Sequence, residues 1–217
     1  MPKHLHRDLD LLSRELLTMG AMVEDATNKA VTALINRDGD LACEVISGDG
    51  AINEKENIVE EEALKILALH QPVAQDLRFI ITALKVNNDL ERIGDLAANL
   101  GERTLQLLEY DALQVPGDFR KMIGFAQGMV RDCLNALVNR DAGLARHVCE
   151  VDDNVDRLHR EMFVYMQEAI KKDPALCEPG LCMISASKHL ERIADLATNV
   201  AEDIVFMVEG EIVRHSL

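Results

Sequence analysis

A ten-residue segment that occurs twice constrains this chain more than any other feature of its sequence. The first copy, residues 90–99, reads LERIGDLAAN, and the second, residues 190–199, reads LERIADLATN. Eight of the ten positions are identical, and the other two exchange one small residue for another. A repeat at this spacing indicates that the chain contains two similar structural units.

Each copy of the segment carries three oxygen-bearing side chains at intervals of four residues. They are Glu91, Asp95 and Asn99 in the first copy, and Glu191, Asp195 and Asn199 in the second. Residues i, i+4 and i+8 lie nearly above one another on an α-helix. Each half of the chain is therefore predicted to present an axial row of oxygen ligands, which we call the carboxylate ladder.

The fold class follows from the spacing of apolar residues, which recur every three or four positions as in amphipathic helices. Aromatic residues make up 3% of the chain and Trp is absent, whereas strong helix formers such as Ala, Leu and Glu dominate. We predict an all-α protein of two tandem, pseudo-symmetric three-helix bundles, residues 1–113 and 114–217. The predicted helices cover about 7–36, 41–70, 73–109, 119–138, 142–172 and 177–209.

Several residues mark where these helices should begin and end. Residues 38–40, which read DGD, supply a carboxylate suited to cap the second helix, and Gly210 is suited to end the sixth. Residues 47–50, which read SGDG, are a weak point where the second helix could bend or break. Pro72 fits the first turn of the third helix, and residues 115–118 form the best candidate boundary between the halves.

Equivalent positions in the two halves are 103 residues apart in the first two helices and 100 apart at the ladders. The second half therefore lacks three residues, which we place near 171–180, at the turn before its third helix. An insertion or deletion in a loop is what a duplicated unit tolerates.

The second helix of each half supplies further oxygen ligands that could face the ladder. These are Asp152 and Asp156 in the second half, and Asp49 and Asn53, with Glu56 one turn on, in the first. A cluster of like charges is unfavourable unless a cation or a basic side chain neutralises it. Oxygen ligands favour hard cations such as Mg²⁺, Ca²⁺, Mn²⁺ or iron. The candidate metal ligands are Glu91, Asp95, Glu191, Asp195, Asp49, Asp152 and Asp156.

These acidic residues are also consistent with an ordinary helix surface. Acidic pairs on a helix are most often a solvated face, with Arg92 and Arg192 as nearby partners. The ladders, however, remain alike while the surrounding sequence of the two halves has diverged. His159 forms an Asp-x-x-His pattern with Asp156, but the first half lacks the equivalent His, so a ferritin-like di-iron site is not supported.

Catalysis is not indicated, because no His has a Ser or Cys partner at a recognisable triad spacing and no phosphate-binding glycine loop is present. A net charge of −15 argues against nucleic acids and anionic membrane surfaces as partners. The five Cys lack zinc-ligand spacing and are interpreted as reduced thiols. A polar N-terminus and the absence of a long apolar run predict a cytoplasmic protein without direct membrane insertion.

The ladders, together with residues 71–78 (QPVAQDLR), closely resemble the PhoU family of phosphate-transport accessory and regulatory proteins. The resemblance extends to residues 18–24 (TMGAMVE) and 208–210 (VEG). Its most specific parts are the ERIGD and ERIAD segments, which match the family's E(D)xxxD metal-binding motif.

The resemblance implies a homodimer with metal bound on the motif face, iron or zinc first among divalent ions. It also implies signalling of phosphate sufficiency through the ATPase of the phosphate ABC transporter and a sensor histidine kinase. Glu91, Asp95, Glu191 and Asp195 match the motif, and Asn53 in place of Asp156 suggests weaker binding in the first half. We therefore expect a non-enzymatic regulator, with a metal-storage or redox bundle and a metal-free helical adaptor as the alternatives.

Overall fold

The computed structural model describes residues 2–113 and 116–211, which form six long α-helices. In chain order these are α1 Pro2–Asn36, α2 Gly39–His70, α3 Ala74–Leu108, α4 Gly117–Asn139, α5 Ala142–Lys172 and α6 Cys177–Glu209. A 3-10 turn, Pro174–Leu176, joins α5 to α6 at the site of the predicted three-residue deletion. The described residues contain no β-strand, so the predicted all-α class is confirmed.

The helices form two units of three. Helices α1, α2 and α3 pack on one another, as do α4, α5 and α6, which confirms the tandem three-helix bundles. The two bundles are not separate in their interior, because α3 packs along α6 and one cluster of buried aliphatic side chains runs through both. The predicted division after residue 113 falls beside Gln114 and Val115, which lie outside the described residues.

The turn between the first and second helix has the same construction in both halves. Arg37 and Arg140 take left-handed backbone conformations, with φ of 55° and 51°, which ends the preceding helix. The carboxylates of Asp38 and Asp141 then each accept the amide N–H three residues on, at 3.0 Å. Asp38 thus supplies the predicted capping carboxylate. Gly210, with φ of 79°, ends α6 as predicted.

Three features of the helices differ from what the sequence suggested. Helix α1 begins at Pro2, not near Arg7. Helix α2 runs unbroken through residues 47–50, whose two glycines are exposed and cost only about 1 kcal/mol each in helix propensity. Pro72 precedes α3 and does not form its first turn, because the residue after it is extended and the helix starts only then.

The Gly-to-Ala difference within the ladder segments is explained by packing between the second and third helices. A Cβ on Gly94 would lie 3.1 Å from Ile52 Cδ1 and 3.2 Å from Ile52 Cγ2. In the second half the equivalent residues are Ala194 and Val155, both fully buried. The volume of one methyl group has therefore moved from one helix to the other. Each pair keeps its two helices close, and this places the ladder opposite the second helix in both halves.

The contact between α3 and α6 repeats itself under exchange of the halves. Thr82 Oγ1 donates a hydrogen bond to the carbonyl oxygen of Asp203 at 3.4 Å, and Cys182 Sγ donates to that of Arg103 at 3.4 Å. These pairs are equivalent by the 100-residue offset. One interaction breaks the symmetry, because Lys85 Nζ lies 3.0 Å from the buried carboxylate of Asp203. We call this contact the α3–α6 seam.

Candidate metal centre

Three predicted ligands of the second half meet where α5 packs against α6. Asp156 lies on α5, and Glu191 and Asp195 lie one helical turn apart on α6. One carboxylate oxygen from each lies within 4.8 Å of the others, and all three residues are half-buried. Two oxygens bound to one calcium-sized cation are at most about 5 Å apart. The three side chains are therefore close enough to share one ion.

Asp152 lies one helical turn before Asp156 and belongs to the same group. Burial, followed by the charges of Asp195, Asp156, Asp153 and Glu191, raises the pKa of Asp152 to about 6. Its Oδ1 atom is buried and makes no hydrogen bond with the described residues. A buried carboxylate oxygen without a partner costs free energy, so this position favours a cation.

Basic side chains satisfy only part of the group. Lys188 Nζ contacts Glu191 Oε1 at 2.5 Å, and Arg192 Nη1 contacts Asp195 Oδ2 at 2.8 Å. The side chain of Glu191 is 12% exposed, yet its Oε2 atom is buried without a hydrogen-bond partner among the described residues. If this were only a solvated helix surface neutralised by Arg192, one oxygen of Glu191 and one of Asp152 would remain buried without a hydrogen-bond partner among the described residues.

His159 adjoins this group but does not join the three oxygens. Its Nδ1 atom lies 2.5 Å from Oγ of Ser187, which is fully buried. Burial is the main cause that lowers the pKa of His159, so the neutral ring is favoured. The predicted Asp-x-x-His pattern is therefore present on α5, with one ring nitrogen already engaged by a hydroxyl.

The first half gathers its predicted ligands in a different arrangement. Burial raises the pKa of Glu91 first, and then the charges of Asp95, Glu56 and Asp49 raise it further. The pKa of Asp95 is likewise raised, by partial desolvation and then by the charge of Asp49, so the charge of Asp49 acts on both ladder residues. Asp95 is exposed, unlike Asp195.

Asn53 accounts for part of this difference between the halves. Its Nδ2 donates a hydrogen bond to Asp49 Oδ2 at 3.1 Å. The second oxygen of Asp49 and the amide oxygen of Asn53 are buried and make no hydrogen bond with the described residues. Within residues 2–113, no three acidic, His or Cys side chains bring ligand atoms within 4.8 Å of one another.

The seven predicted ligands thus lie in two groups, one on each half, where the second helix packs against the third. Ser187, which contacts His159, and Lys188, which contacts Glu191, were not among the predicted site residues. Both were open to detection, because Ser187 precedes Glu191 by four residues and Lys188 precedes it by three, the spacings of neighbours on one helix face.

The donor atoms of the second-half group suit a metal ion. Every donor is a carboxylate oxygen, which suits Mg²⁺, Mn²⁺, Ca²⁺ or iron, and carboxylates also bind Zn²⁺. The buried, unpartnered oxygens of Asp152 and Glu191 are the direct structural sign that a positive charge fits here. Asp156, Glu191 and Asp195 would hold the ion, with Asp152 beside them.

A separate cavity lies away from the candidate ligands. A cavity of about 220 Å³ is lined mainly by apolar side chains, among them Leu34, Leu107, Phe119 and Met183, and by none of the seven ligands. Among the described helices, none combines the length and the apolar character needed to cross a membrane.

Fold and site together define a class of protein: a duplicated three-helix bundle with an acidic ladder on the third helix of each repeat. The family model described as the PhoU domain matches this chain twice, over residues 16–104 and 119–204. The two matches fall on the two bundles. The chain belongs to the PhoU family.

Two related proteins match nearly all of this chain. The chain is 39% identical to the phosphate-specific transport system accessory protein PhoU homolog of Pseudomonas putida, covering 98% of this chain and 84% of the relative. It is 32% identical to PhoU homolog 1 of Thermotoga maritima, covering 99% of this chain and 93% of that protein.

Solved structures agree as well. The crystal structure of PhoU from Pseudomonas aeruginosa superposes with a TM-score of 0.92 at 38% identity, covering 95% of this chain and 99% of that one. The phosphate transport system regulatory protein PhoU from Streptococcus pneumoniae superposes with a TM-score of 0.89 at 29% identity, covering 96% and 99%. The architecture of these proteins therefore matches at least 95% of this chain.

Proposed function

We propose that this chain is a non-catalytic regulator of phosphate uptake and of the phosphate-starvation response. It acts in the cytoplasm as a homodimer, through contacts with the ATPase of the phosphate ABC transporter and with a sensor histidine kinase. The observation that carries the proposal is the match of both bundles to the PhoU domain, together with relatives named as transport-system accessory proteins. The net charge of −15 suits basic surfaces on such partners.

Metal ions on the two ladders are part of the proposal. The ions are iron or zinc, or another divalent cation of the Mg²⁺, Mn²⁺ or Ca²⁺ type, bound by carboxylates of both halves. Support comes from the converging oxygens of Asp156, Glu191 and Asp195 and from the unpartnered oxygen of Asp152. A bound cation would shape the acidic face of each bundle that partners meet.

The regulatory role is tested by deleting the gene and measuring a phosphate-regulated reporter at high phosphate. We expect the reporter to be derepressed, and wild-type protein supplied in trans to restore repression. In parallel, affinity capture from the same cells should recover the transporter ATPase and the kinase. An unchanged reporter together with capture of neither partner would contradict the proposal.

The metal role is tested by elemental analysis of the protein purified without chelators. The Glu91→Gln, Glu191→Gln double variant is expected to lose most of the bound metal and to melt at a different temperature. Unchanged metal content and thermal stability would instead favour the metal-free adaptor. More than a few ions per chain, or oxidase turnover, would favour the storage or redox bundle.

A further inference from the structure

We propose that the two carboxylate sites are not equivalent: the second-half site is preformed and binds a divalent cation tightly, and the first-half site fills later. This inference rests on the proposed metal role and adds the order of filling and the residue that sets it. The second-half site consists of Asp152, Asp156, Glu191 and Asp195, and the first-half site of Asp49, Asn53, Glu91 and Asp95.

The second-half site needs little rearrangement to bind an ion. Three of its carboxylates already bring oxygens within 4.8 Å of one another from two helices. Buried oxygens that no described residue satisfies occur in both sites, on Asp152 and Glu191 here and on Asp49 and Asn53 in the first half. The convergence of three charged ligands is therefore what distinguishes the second-half site. Repulsion among these carboxylates is present before the ion arrives, so binding relieves it, and preorganised ligands bind with the smallest ordering cost.

The first-half site has a neutral side chain where the second-half site has a charged one. Asn53 occupies the position of Asp156 and donates its amide N–H to Asp49 at 3.1 Å. That hydrogen bond uses one oxygen of Asp49 and replaces a charged ligand with a neutral one. An incoming cation that used both oxygens of Asp49 would have to displace the amide N–H, and the amide oxygen of Asn53 would bring it no negative charge.

A count of carboxylates would miss this asymmetry. Glu56 in the first half replaces His159, so each half has four carboxylates in the region, but the fourth lies one turn away from the position of Asp156. The backbone carbonyl of Glu56 also accepts a hydrogen bond from Asn87 at 3.0 Å, which anchors that turn of α2 to α3. Equal charge therefore does not produce equal geometry, and the position of the carboxylate decides the affinity.

The test measures Mn²⁺ binding to the full chain after removal of bound metal with a chelator. Electron paramagnetic resonance of free Mn²⁺ gives the number and affinity of the sites. We expect wild-type protein to show one tight site and one site at least about tenfold weaker, since even a change in a ligand's surroundings alters metal affinity by 10–100-fold. Asp156→Asn should abolish the tight class, and Asn53→Asp should create a second tight site.

A matched control is available beside the site. Asp153→Asn removes the same charge from an exposed neighbour of Asp152 and should leave the tight site within about threefold of wild type. The Asp156→Asn variant is expected to fold, because the first half already has Asn at the equivalent position 53. Circular dichroism of each variant confirms that its helices are intact.

The outcomes separate this inference from the role on which it depends. Absence of Mn²⁺ binding in the wild-type protein would overturn the inference, and together with a metal-free elemental analysis it would overturn the metal role as well. Two equal sites in the wild type, or an Asp156→Asn variant that keeps the tight class, would overturn the non-equivalence and leave the metal role standing. A loss of the tight class in Asp153→Asn as well would show that net charge, and not the ligand at position 156, sets the affinity.

Discussion

The exchange of volume between Gly94 and Ile52 predicts a strong coupling between two substitutions. In Gly94→Ala the new methyl carbon would lie 3.1 Å from Ile52 Cδ1 and 3.2 Å from Cγ2. The Cδ1 contact is the closer one, and the close-packed core leaves Cδ1 little room to turn away, so helices α2 and α3 must separate by a few tenths of an ångström. Ile52→Val removes Cδ1 and leaves Cγ2, whose longer contact needs a smaller shift.

The magnitude follows from two opposing contributions. Overpacking of a buried contact costs about 1–3 kcal/mol, and replacement of a helical Gly by Ala contributes about 1 kcal/mol in propensity. Gly94→Ala alone should therefore destabilise by about 1 kcal/mol. Ile52→Val alone should also cost about 1 kcal/mol, as a methyl deletion in a core. The double variant recreates the pair found at Ala194 and Val155 and should regain wild-type stability.

The assay is urea unfolding of the four proteins of this cycle, followed by circular dichroism at 222 nm. We expect a favourable coupling free energy of about 2 kcal/mol between the two substitutions. Gly124→Ala is the control, because its added Cβ meets nothing within 4 Å, and it should stabilise by up to about 1 kcal/mol. Additivity of the two substitutions within about 0.5 kcal/mol would refute the volume-exchange explanation.

Three further predictions concern charge and capping. Burial raises the pKa of Asp152 from an ordinary 3.8 to about 6. The protonated carboxyl therefore stabilises the metal-free fold below pH 3.8, and this stabilisation is lost as the pH rises through about 6. Asp152→Asn should therefore raise the melting temperature of the metal-free protein at pH 7 and flatten its fall between these pH values; an unaltered profile would contradict the burial of this charge. Lys85→Met removes the 3.0 Å ion pair with buried Asp203 and should cost about 2 kcal/mol in urea unfolding, against less than about 0.5 kcal/mol for Met at the exposed Lys121. Asp141→Ala removes the cap of α5 and should cost about 1 kcal/mol, most of which Asp141→Asn should retain; equal losses in the two variants would show that the cap is not the cause.

Most of the helical architecture could be predicted from the sequence because its signals are local. Helices α5 and α6 begin and end at the predicted residues, where Asp141 caps the first and Gly210 ends the second. The weak point identified at residues 47–50 does not interrupt α2, because Val45 and Ile52 pack into the core from the buried side of the helix. Tertiary burial on one face outweighs two exposed glycines on the other.

The candidate site was predicted in its membership but not in its detail. Periodicity places Glu191 below Asp195, and antiparallel packing of neighbouring helices brings Asp156 to both. The hydrogen bond from Asn53 to Asp49 could not be predicted, because it depends on side-chain rotamers set by the contact between two helices. Metal binding itself stays a prediction, which the buried, unpartnered oxygens support.

The near two-fold symmetry of the α3–α6 seam has an evolutionary consequence. Two identical single-repeat chains joined through this surface would form an isologous dimer, in which every contact occurs twice. Thr82 and Cys182 still mark such a doubled contact. The ion pair of Lys85 with Asp203 does not, because exchange of the halves replaces these residues by Ser185 and Arg103. A fusion of two gene copies would free each side of the seam to diverge, and the ion pair of Lys85 with Asp203 is the kind of single contact that only joined halves can make.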